Sequence, residues 1–120
     1  MPAGFTLIEV LVALALLSLG LLASLKVAQQ SSIDLQLMER RTLAGLSAEN
    51  AMVSIALNPE SLSLAPAGLY DCPQATIKLQ CRYKADKTDH PQFRTIEVVV
   101  EDSSGQMLAN RFGIIRVRLR

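Results

Sequence analysis

The fold of this chain is decided by the stretch Phe5-Thr-Leu-Ile-Glu-Val-Leu-Val-Ala-Leu-Ala-Leu-Leu-Ser-Leu-Gly-Leu-Leu-Ala-Ser-Leu25. Its 21 residues are uncharged except for one acid, Glu9. At about 1.5 Å of rise per residue, a helix of this length extends about 30 Å, which is the thickness of the hydrocarbon core of a bilayer. The sequence therefore predicts a transmembrane helix over residues 5–25.

Glu9 is the one residue that does not suit a membrane helix. A carboxylate in hydrocarbon costs roughly 2.5 to 3.5 kcal/mol even on lenient insertion scales, so we expect Glu9 to have a partner. The alternative is that Glu9 stays hydrated near the membrane surface, because it lies only four residues beyond Phe5. The expected pairing makes Glu9 a candidate functional residue.

The composition of the chain argues against several classes of protein. With 120 residues, half of them hydrophobic, the chain can form one small domain beside the apolar run. A net charge of +1 and the absence of tryptophan argue against a nucleic-acid-binding surface. No nucleophile lies beside a general base and no dense ligand set is present, so we predict no enzyme activity, cofactor or small-molecule substrate.

A second helical segment follows the apolar run, over residues 26–57. Its apolar residues recur at intervals that keep to one side of a helix: Leu35, Met38, Leu43, Leu46, Val53 and Leu57. Asn58-Pro59 ends the helix, because Pro59 has no amide hydrogen and disfavours helical backbone in the residue before it. The pattern predicts an amphipathic helix that continues from the membrane segment and packs on a sheet.

Residues 58–120 have the pattern of a loop followed by an antiparallel sheet. Residues 60–73 are rich in Ser, Pro, Ala and Gly, which indicates a connecting loop. Alternating apolar and polar residues then predict strands over 75–83, 94–101, 106–112 and 114–120, with a turn at 102–105. The residues predicted to face inward are Ile77, Leu79, Cys81, Tyr83, Ile96, Val98, Val100, Ile115, Val117 and Leu119.

The chain has two cysteines, Cys72 and Cys81. Both lie beyond the apolar run, and in an oxidising compartment outside the inner membrane such a pair favours a disulfide. His90 follows Cys81 at the same interval of nine residues, but zinc sites usually show tighter pairs and a fourth ligand. We therefore predict one disulfide and no metal site.

The residues around Glu9 resemble a known processing signal. Gly4 followed by Phe5-Thr-Leu-Ile-Glu9-Val-Leu-Val-Ala-Leu is similar to the class III signal of type IV pilins and type II secretion pseudopilins. The resemblance implies that residues 1–4 are a leader, that a prepilin peptidase cuts between Gly4 and Phe5, and that it methylates the new amino terminus. It also implies that Glu9 pairs with the methylated amine of an adjacent subunit. The leader departs from the family pattern in having no basic residue.

Two further segments resemble the I-type minor pseudopilins of type II secretion. They are Thr42-Leu-Ala-Gly-Leu-Ser-Ala-Glu-Asn50 and Phe93-Arg-Thr-Ile-Glu-Val-Val-Val100. The resemblance implies a pilin-like α+β fold, in which a long N-terminal helix packs on a small C-terminal antiparallel sheet. It also implies a structural subunit with a single pass through the inner membrane and a periplasmic C-terminal domain.

The same resemblance implies a function in assembly. An I-type minor pseudopilin lies at the tip of the pseudopilus, where it meets the J-type and K-type minor pseudopilins and the major pseudopilin. There it helps to initiate assembly and thereby protein export across the outer membrane. The alternative is a minor pilin of a type IV pilus, which would share the signal, the helix and the sheet. A membrane-tethered enzyme is an alternative from another class of protein, but this chain lacks a set of catalytic residues.

Overall fold

A computed structural model describes residues 3–118 of the chain. The chain divides into two compact units after Leu37. A helix, α1 (Leu7–Leu57), forms most of the first unit and supplies the first element of the second. The predicted inward residue Leu119 lies outside the described residues.

Helix α1 begins at Leu7 because Thr6 caps it. The amides of Glu9 and Val10 donate to the carbonyl oxygen of Thr6 over 3.1 and 3.3 Å. The Thr6 hydroxyl oxygen also lies 3.4 Å from the Glu9 nitrogen. A threonine at this position supplies acceptors for amides that have no partner inside the helix. Phe5 therefore precedes the helix, although it opens the predicted membrane segment.

Helix α1 ends where Asn58-Pro59 predicts. Leu57 is its last residue, and the Asn58 amide still donates to the carbonyl oxygen of Ser54 over 3.2 Å. Pro59 cannot continue this ladder, because it has no amide hydrogen. A short helix, α2 (Ser61–Leu64), follows directly.

Four antiparallel strands form one sheet in the second unit. They are β1 (Ala67–Asp71), β2 (Leu79–Lys87), β3 (Phe93–Asp102) and β4 (Met107–Arg116), in the spatial order β1-β2-β3-β4. Each strand therefore pairs with its neighbour in the sequence. This sheet and helix α1 confirm the predicted pilin-like α+β fold.

The prediction of a plain connecting loop over residues 60–73 is wrong, because α2 and β1 lie within it. Strand β1 is mostly exposed and short, so it lacks the alternation that marks a half-buried strand. Its Gly68 pairs with Tyr83, and a Cβ atom at that glycine would lie 2.6 Å from the Tyr83 ring. The glycine that suggested a loop thus allows the two strands to pack closely.

Two other strands differ in extent from their predicted ranges. Strand β2 begins at Leu79 rather than at residue 75, because Gln74 and Ile77 exchange two backbone hydrogen bonds in a tight turn. Between them Ala75 has a positive φ of 52°, which a strand does not allow. Strand β4 runs unbroken through Gly113, where the pattern predicts two separate segments.

The core of the second unit lies between the sheet and a face of α1 made mostly of small residues. The buried helix residues are Ala44, Ser47, Ala48, Ala51 and Ile55. The sheet contributes fully buried side chains, which include five that the sequence predicts: Leu79, Cys81, Ile96, Val98 and Val100. The backbone of β4 approaches the helix closely at Gly113, where a Cβ atom would collide with the end of the Met52 side chain.

The predicted apolar side of residues 26–57 is not the side that packs on the sheet. Leu46, Val53 and Leu57 remain 50%, 50% and 75% exposed. Each follows a buried residue by two positions, which places it about 200° away around the helix. Small residues form the buried face because they let the helix backbone come close to the sheet. The larger side chains are left on an opposite face that no described residue covers.

Candidate functional site

The predicted cleavage position lies in an accessible segment ahead of α1. Residues 3–6 have no helical or strand structure, and Phe5 is 83% exposed. No other atom of the described residues lies within 4 Å of the position that a Cβ atom would take at Gly4. The backbone between Gly4 and Phe5 is therefore open to an enzyme, and no described residue beyond the two chain neighbours of Gly4 lies close enough to require a glycine there.

Glu9 lies in the first turn of α1, and its side chain is exposed. Its negative charge is favourable at this place, because the amino end of a helix carries a partial positive charge. A shallow groove of about 390 Å³ adjoins it and is otherwise apolar, being lined by Phe5, Glu9, Val10, Ala13, Leu14 and Leu17. The carboxylate thus stands beside an open apolar surface.

The chain provides no basic side chain that could reach Glu9 along the helix. The first basic residue after it is Lys26, 17 positions further on, which corresponds to about 25 Å along the helix axis. Among the residues that the structure describes, Glu9 forms no ion pair. Within residues 3–37, no basic side chain is therefore placed to serve as the partner of Glu9.

The apolar part of α1 has the properties of a membrane helix. By length and composition it can cross a bilayer, and its most apolar window is not buried at all by other described residues. Its hydroxyl groups are satisfied within the helix, since Ser18 donates to the carbonyl oxygen of Ala15 over 2.8 Å and Ser24 to that of Gly20 over 2.9 Å. Satisfied hydroxyls are compatible with a lipid environment, where unpaired polar groups are costly.

Cys72 and Cys81 form a disulfide, as the sequence predicts. Their Cα atoms lie 5.7 Å apart, and the bridge links the loop after β1 to strand β2. Ser47 of α1 is buried, and its hydroxyl group donates to the carbonyl oxygen of Cys72 over 3.0 Å. No sequence pattern singled out Ser47, although it lies among small residues at helical spacing. It ties the disulfide loop to the helix.

The turn between β3 and β4 is held by the Asp102 carboxylate. That carboxylate accepts hydrogen bonds from the Ser104 hydroxyl group and from the Ser104 and Gln106 amides, over 2.6, 2.9 and 3.0 Å. The hydroxyl bond is the largest of the effects that lower the pKa of Asp102, and the charge of Arg40 adds to them. Gly105 completes the turn with a positive φ of 83°.

Comparison with known proteins identifies the family. Residues 38–116 match the family described as type II secretion system (T2SS), protein I, and residues 2–25 match the prokaryotic N-terminal methylation motif. The chain belongs to the type II secretion system protein I family. The first match covers most of the second unit, and the second covers Gly4, Phe5 and Glu9.

Curated relatives carry the same description. Type II secretion system protein I of Klebsiella pneumoniae is 35% identical over 100 residues, which are 82% of this chain and 80% of that protein. The protein of the same description from Pectobacterium carotovorum subsp. carotovorum is 29% identical over 110 residues, 89% of this chain and 88% of that protein. The one from Vibrio cholerae is 35% identical over 60 residues, half of each chain. No solved structure matches the chain significantly.

These matches confirm the resemblance to a minor pseudopilin of the I type. A type IV pilus subunit is not favoured, because the family and the curated relatives are all described as type II secretion proteins. The family consists of structural components of the secretion machinery, so the chain takes part in a pseudopilus with other components of that system. The apolar helix and the methylation motif indicate that the chain is anchored in a membrane.

Proposed function

We propose that this type II secretion protein I is a non-enzymatic subunit at the tip of the pseudopilus. There it helps to start assembly and so supports protein export across the outer membrane. The observation that carries the proposal is the lone carboxylate of Glu9 on an exposed apolar helix, four residues after an accessible Gly4-Phe5 bond.

The first step of this function is processing by a prepilin peptidase. The enzyme cuts between Gly4 and Phe5 and methylates the new amine at Phe5. The exposure of this segment supports the step, as does the capping of α1 by Thr6, which keeps the cut outside the helix. The requirement for glycine comes from the enzyme, since the chain leaves open space around Gly4.

Glu9 then drives the subunit from the bilayer into the filament. An unpaired carboxylate costs roughly 2.5 to 3.5 kcal/mol in lipid, and no basic side chain of the described residues relieves that cost. The methylated amine of a neighbouring subunit supplies a positive charge in a surrounding of low dielectric constant. Two opposite charges 4 Å apart attract by about 4 kcal/mol at an effective dielectric constant of 20, which is enough to offset the cost.

The same features support a location in the inner membrane. The apolar helix crosses the inner membrane once, and the C-terminal unit lies in the periplasm, where an oxidising environment maintains the Cys72–Cys81 disulfide. The partners are the J-type and K-type minor pseudopilins at the tip and the major pseudopilin below them. The uncovered face with Leu46, Val53 and Leu57 is suited to helix contacts with such subunits.

The experiment replaces Glu9 with glutamine in cells that lack the natural chain. Glu9→Gln removes both the cost in lipid and the pairing, so assembly weakens by roughly a hundredfold if 2.5 to 3.5 kcal/mol is lost, while cleavage of the leader continues. The control is Glu39→Gln, which makes the same change on an exposed residue of α1 beyond the apolar run. Secretion that is equal in the two variants contradicts the proposal.

A further inference from the structure

Strand β4 forms a long free edge of the sheet. It pairs with β3 along nearly its whole length, and within residues 3–118 it pairs with no other strand. The opposite edge is β1, which has five residues against ten in β4. Natural proteins usually shorten, bend or cover their edge strands, because unpaired backbone groups attract other strands. Strand β4 has one irregularity, a β-bulge opposite Val100 and Glu101. From Ala109 to Arg116 its register is unbroken, and this part of the edge is therefore a candidate interaction surface.

From Ala109 onward, the backbone groups of the even-numbered residues of β4 point to this free edge. Just beyond the strand, the Val117 amide donates to the carbonyl oxygen of Gln92 over 2.7 Å, which is a bond toward the β3 side. In an antiparallel pair such bonded positions alternate with unbonded ones, so Phe112 and Ile114 direct their amides and carbonyls away from β3. The carbonyl oxygen of Asn110 is consistent with this alternation, because it accepts a hydrogen bond from the Arg111 side chain instead of one from β3.

The side chains of the same residues form an exposed apolar ridge. Phe112 and Ile114 lie on the sheet face opposite the helix, and they are 70% and 66% exposed. Gly113, between them, faces α1 at Met52, which fixes the orientation of the strand. An incoming strand would thus find backbone groups to bond and two large apolar side chains to pack against.

The charge of this edge indicates what kind of segment it binds. Strand β4 contains two arginines, Arg111 and Arg116, and no acid. Arg111 forms an ion pair with Glu49 of α1 over 3.6 Å, so Arg116 carries the free positive charge of this edge. Arg116 is exposed on the same sheet face as Ile114, and no described acid forms an ion pair with it. A second copy of β4 would bring the same positive charges and no acid, whereas an acidic segment would be attracted.

We propose that the free edge of β4 binds an extended, acidic segment of another pseudopilus subunit by strand addition. Alternate apolar side chains of that segment pack on Phe112 and Ile114, and a carboxylate pairs with Arg116. This proposal rests on the proposed function in one respect only, because it requires a pseudopilus that contains other subunits.

The test is photo-crosslinking of the full chain in cells that lack the natural copy but contain the secretion machinery. Phe112 is replaced by a photo-reactive benzoyl-phenylalanine, and Leu69, an exposed apolar residue of the other edge strand, carries the same probe as the control. We expect an adduct from position 112 whose cross-linked peptide, identified by mass spectrometry, is an acidic extended segment of another subunit. An adduct between two copies of this chain, or equal adducts from position 69, overturns the proposal.

Two second-site variants test the chemistry. Ile114→Pro removes an amide that β3 does not use, so the sheet keeps its hydrogen bonds while the added strand loses one, and Ile114→Val is its control. We expect the adduct to fall by up to about tenfold, which is the upper end of what the loss of one hydrogen bond causes. Arg116→Glu reverses the charge and should lower the adduct as well, while Lys84→Glu, on the same sheet face of β2, should not.

The outcomes separate this proposal from the proposed function. If the unaltered chain fails to restore secretion in these cells, the proposed function fails. If secretion is restored but position 112 gives no adduct, or if neither Ile114→Pro nor Arg116→Glu lowers its yield, then only strand addition at β4 is refuted. Should Ile114→Pro lower the melting temperature of the domain markedly, Arg116→Glu decides the result alone.

Discussion

The disulfide between Cys72 and Cys81 should supply a large part of the stability of the sheet unit. It closes a loop with a sequence separation of 9 residues. In the chain-entropy account a loop of this length contributes about 2.6 kcal/mol at 25 °C. For a unit of this size each kcal/mol shifts the melting temperature by roughly 4 to 8 °C, so removing the bridge should lower it by about 10 to 20 °C.

The assay is near-ultraviolet circular dichroism of the full chain in detergent micelles. The chain has two tyrosines and no tryptophan, and Tyr70 and Tyr83 lie on neighbouring strands with ring centroids 6.3 Å apart, so the tyrosine signal reports on the sheet. Cys72→Ser should melt at the lower temperature whether or not a reductant is present, while the unaltered chain should lose stability only on reduction. If reduction leaves the melting temperature of the unaltered chain unchanged, the reasoning is refuted.

Two smaller effects follow from single hydrogen-bonded groups. Ser47→Ala removes the bond to the Cys72 carbonyl and should destabilise the unit by about 1 kcal/mol, whereas Ser54→Ala, on an exposed part of the same helix, should stay within about 0.5 kcal/mol in the same melting assay. Similar losses of stability in both variants would contradict the stabilising role of the Ser47 hydrogen bond. The lowered pKa of Asp102 means that its contribution is present above the ordinary carboxyl value of 3.8 and is lost as the pH falls through the folded-state value. Melting temperatures measured against pH should therefore fall more steeply below pH 4 for the unaltered chain than for Asp102→Ala, and parallel curves would count against this assignment.

The strongest sequence patterns predicted the fold. The apolar run predicted the helix because 20 uncharged residues around one acid suit a membrane-spanning helix, and Pro59 marked the end of the helix because it has no amide hydrogen. The alternation Ile96, Val98 and Val100 predicted a strand with these three residues inward, and all three are fully buried. These features depend only on local chemistry.

Tertiary packing decided what the patterns left open or predicted wrongly. Large apolar residues suggested the buried face of residues 26–57, but close approach to the sheet selected Ala44, Ala48 and Ala51 instead. Strand β1 was not predicted, because its Gly68 is required by close packing against the ring of Tyr83, a residue 15 positions away. The role of Ser47 likewise depends on a carbonyl 25 residues along the chain, which no local pattern contains.

The candidate site likewise has parts that local sequence predicts and parts that depend on tertiary packing. The sequence alone was enough to select Gly4, Phe5 and Glu9, because they belong to one contiguous motif. The N-terminal methylation motif matches the same part of the chain, residues 2–25. The free edge of β4 could not be selected in this way, since an edge exists only once the order of the strands is known. The uncovered helix face opposite Ala44 and Ala51 also required the packed structure.

The pairing of Glu9 with a methylated amine is tested most directly by the mass of the amino-terminal peptide of the protein purified from membranes. We expect this peptide to begin at Phe5 and to carry one added methyl group on its amine, so that Glu9 is the fifth residue of the mature subunit. A peptide that begins at Met1, or one that begins after Leu25, would contradict it, because Glu9 would then have no methylated amine to pair with in a neighbouring subunit.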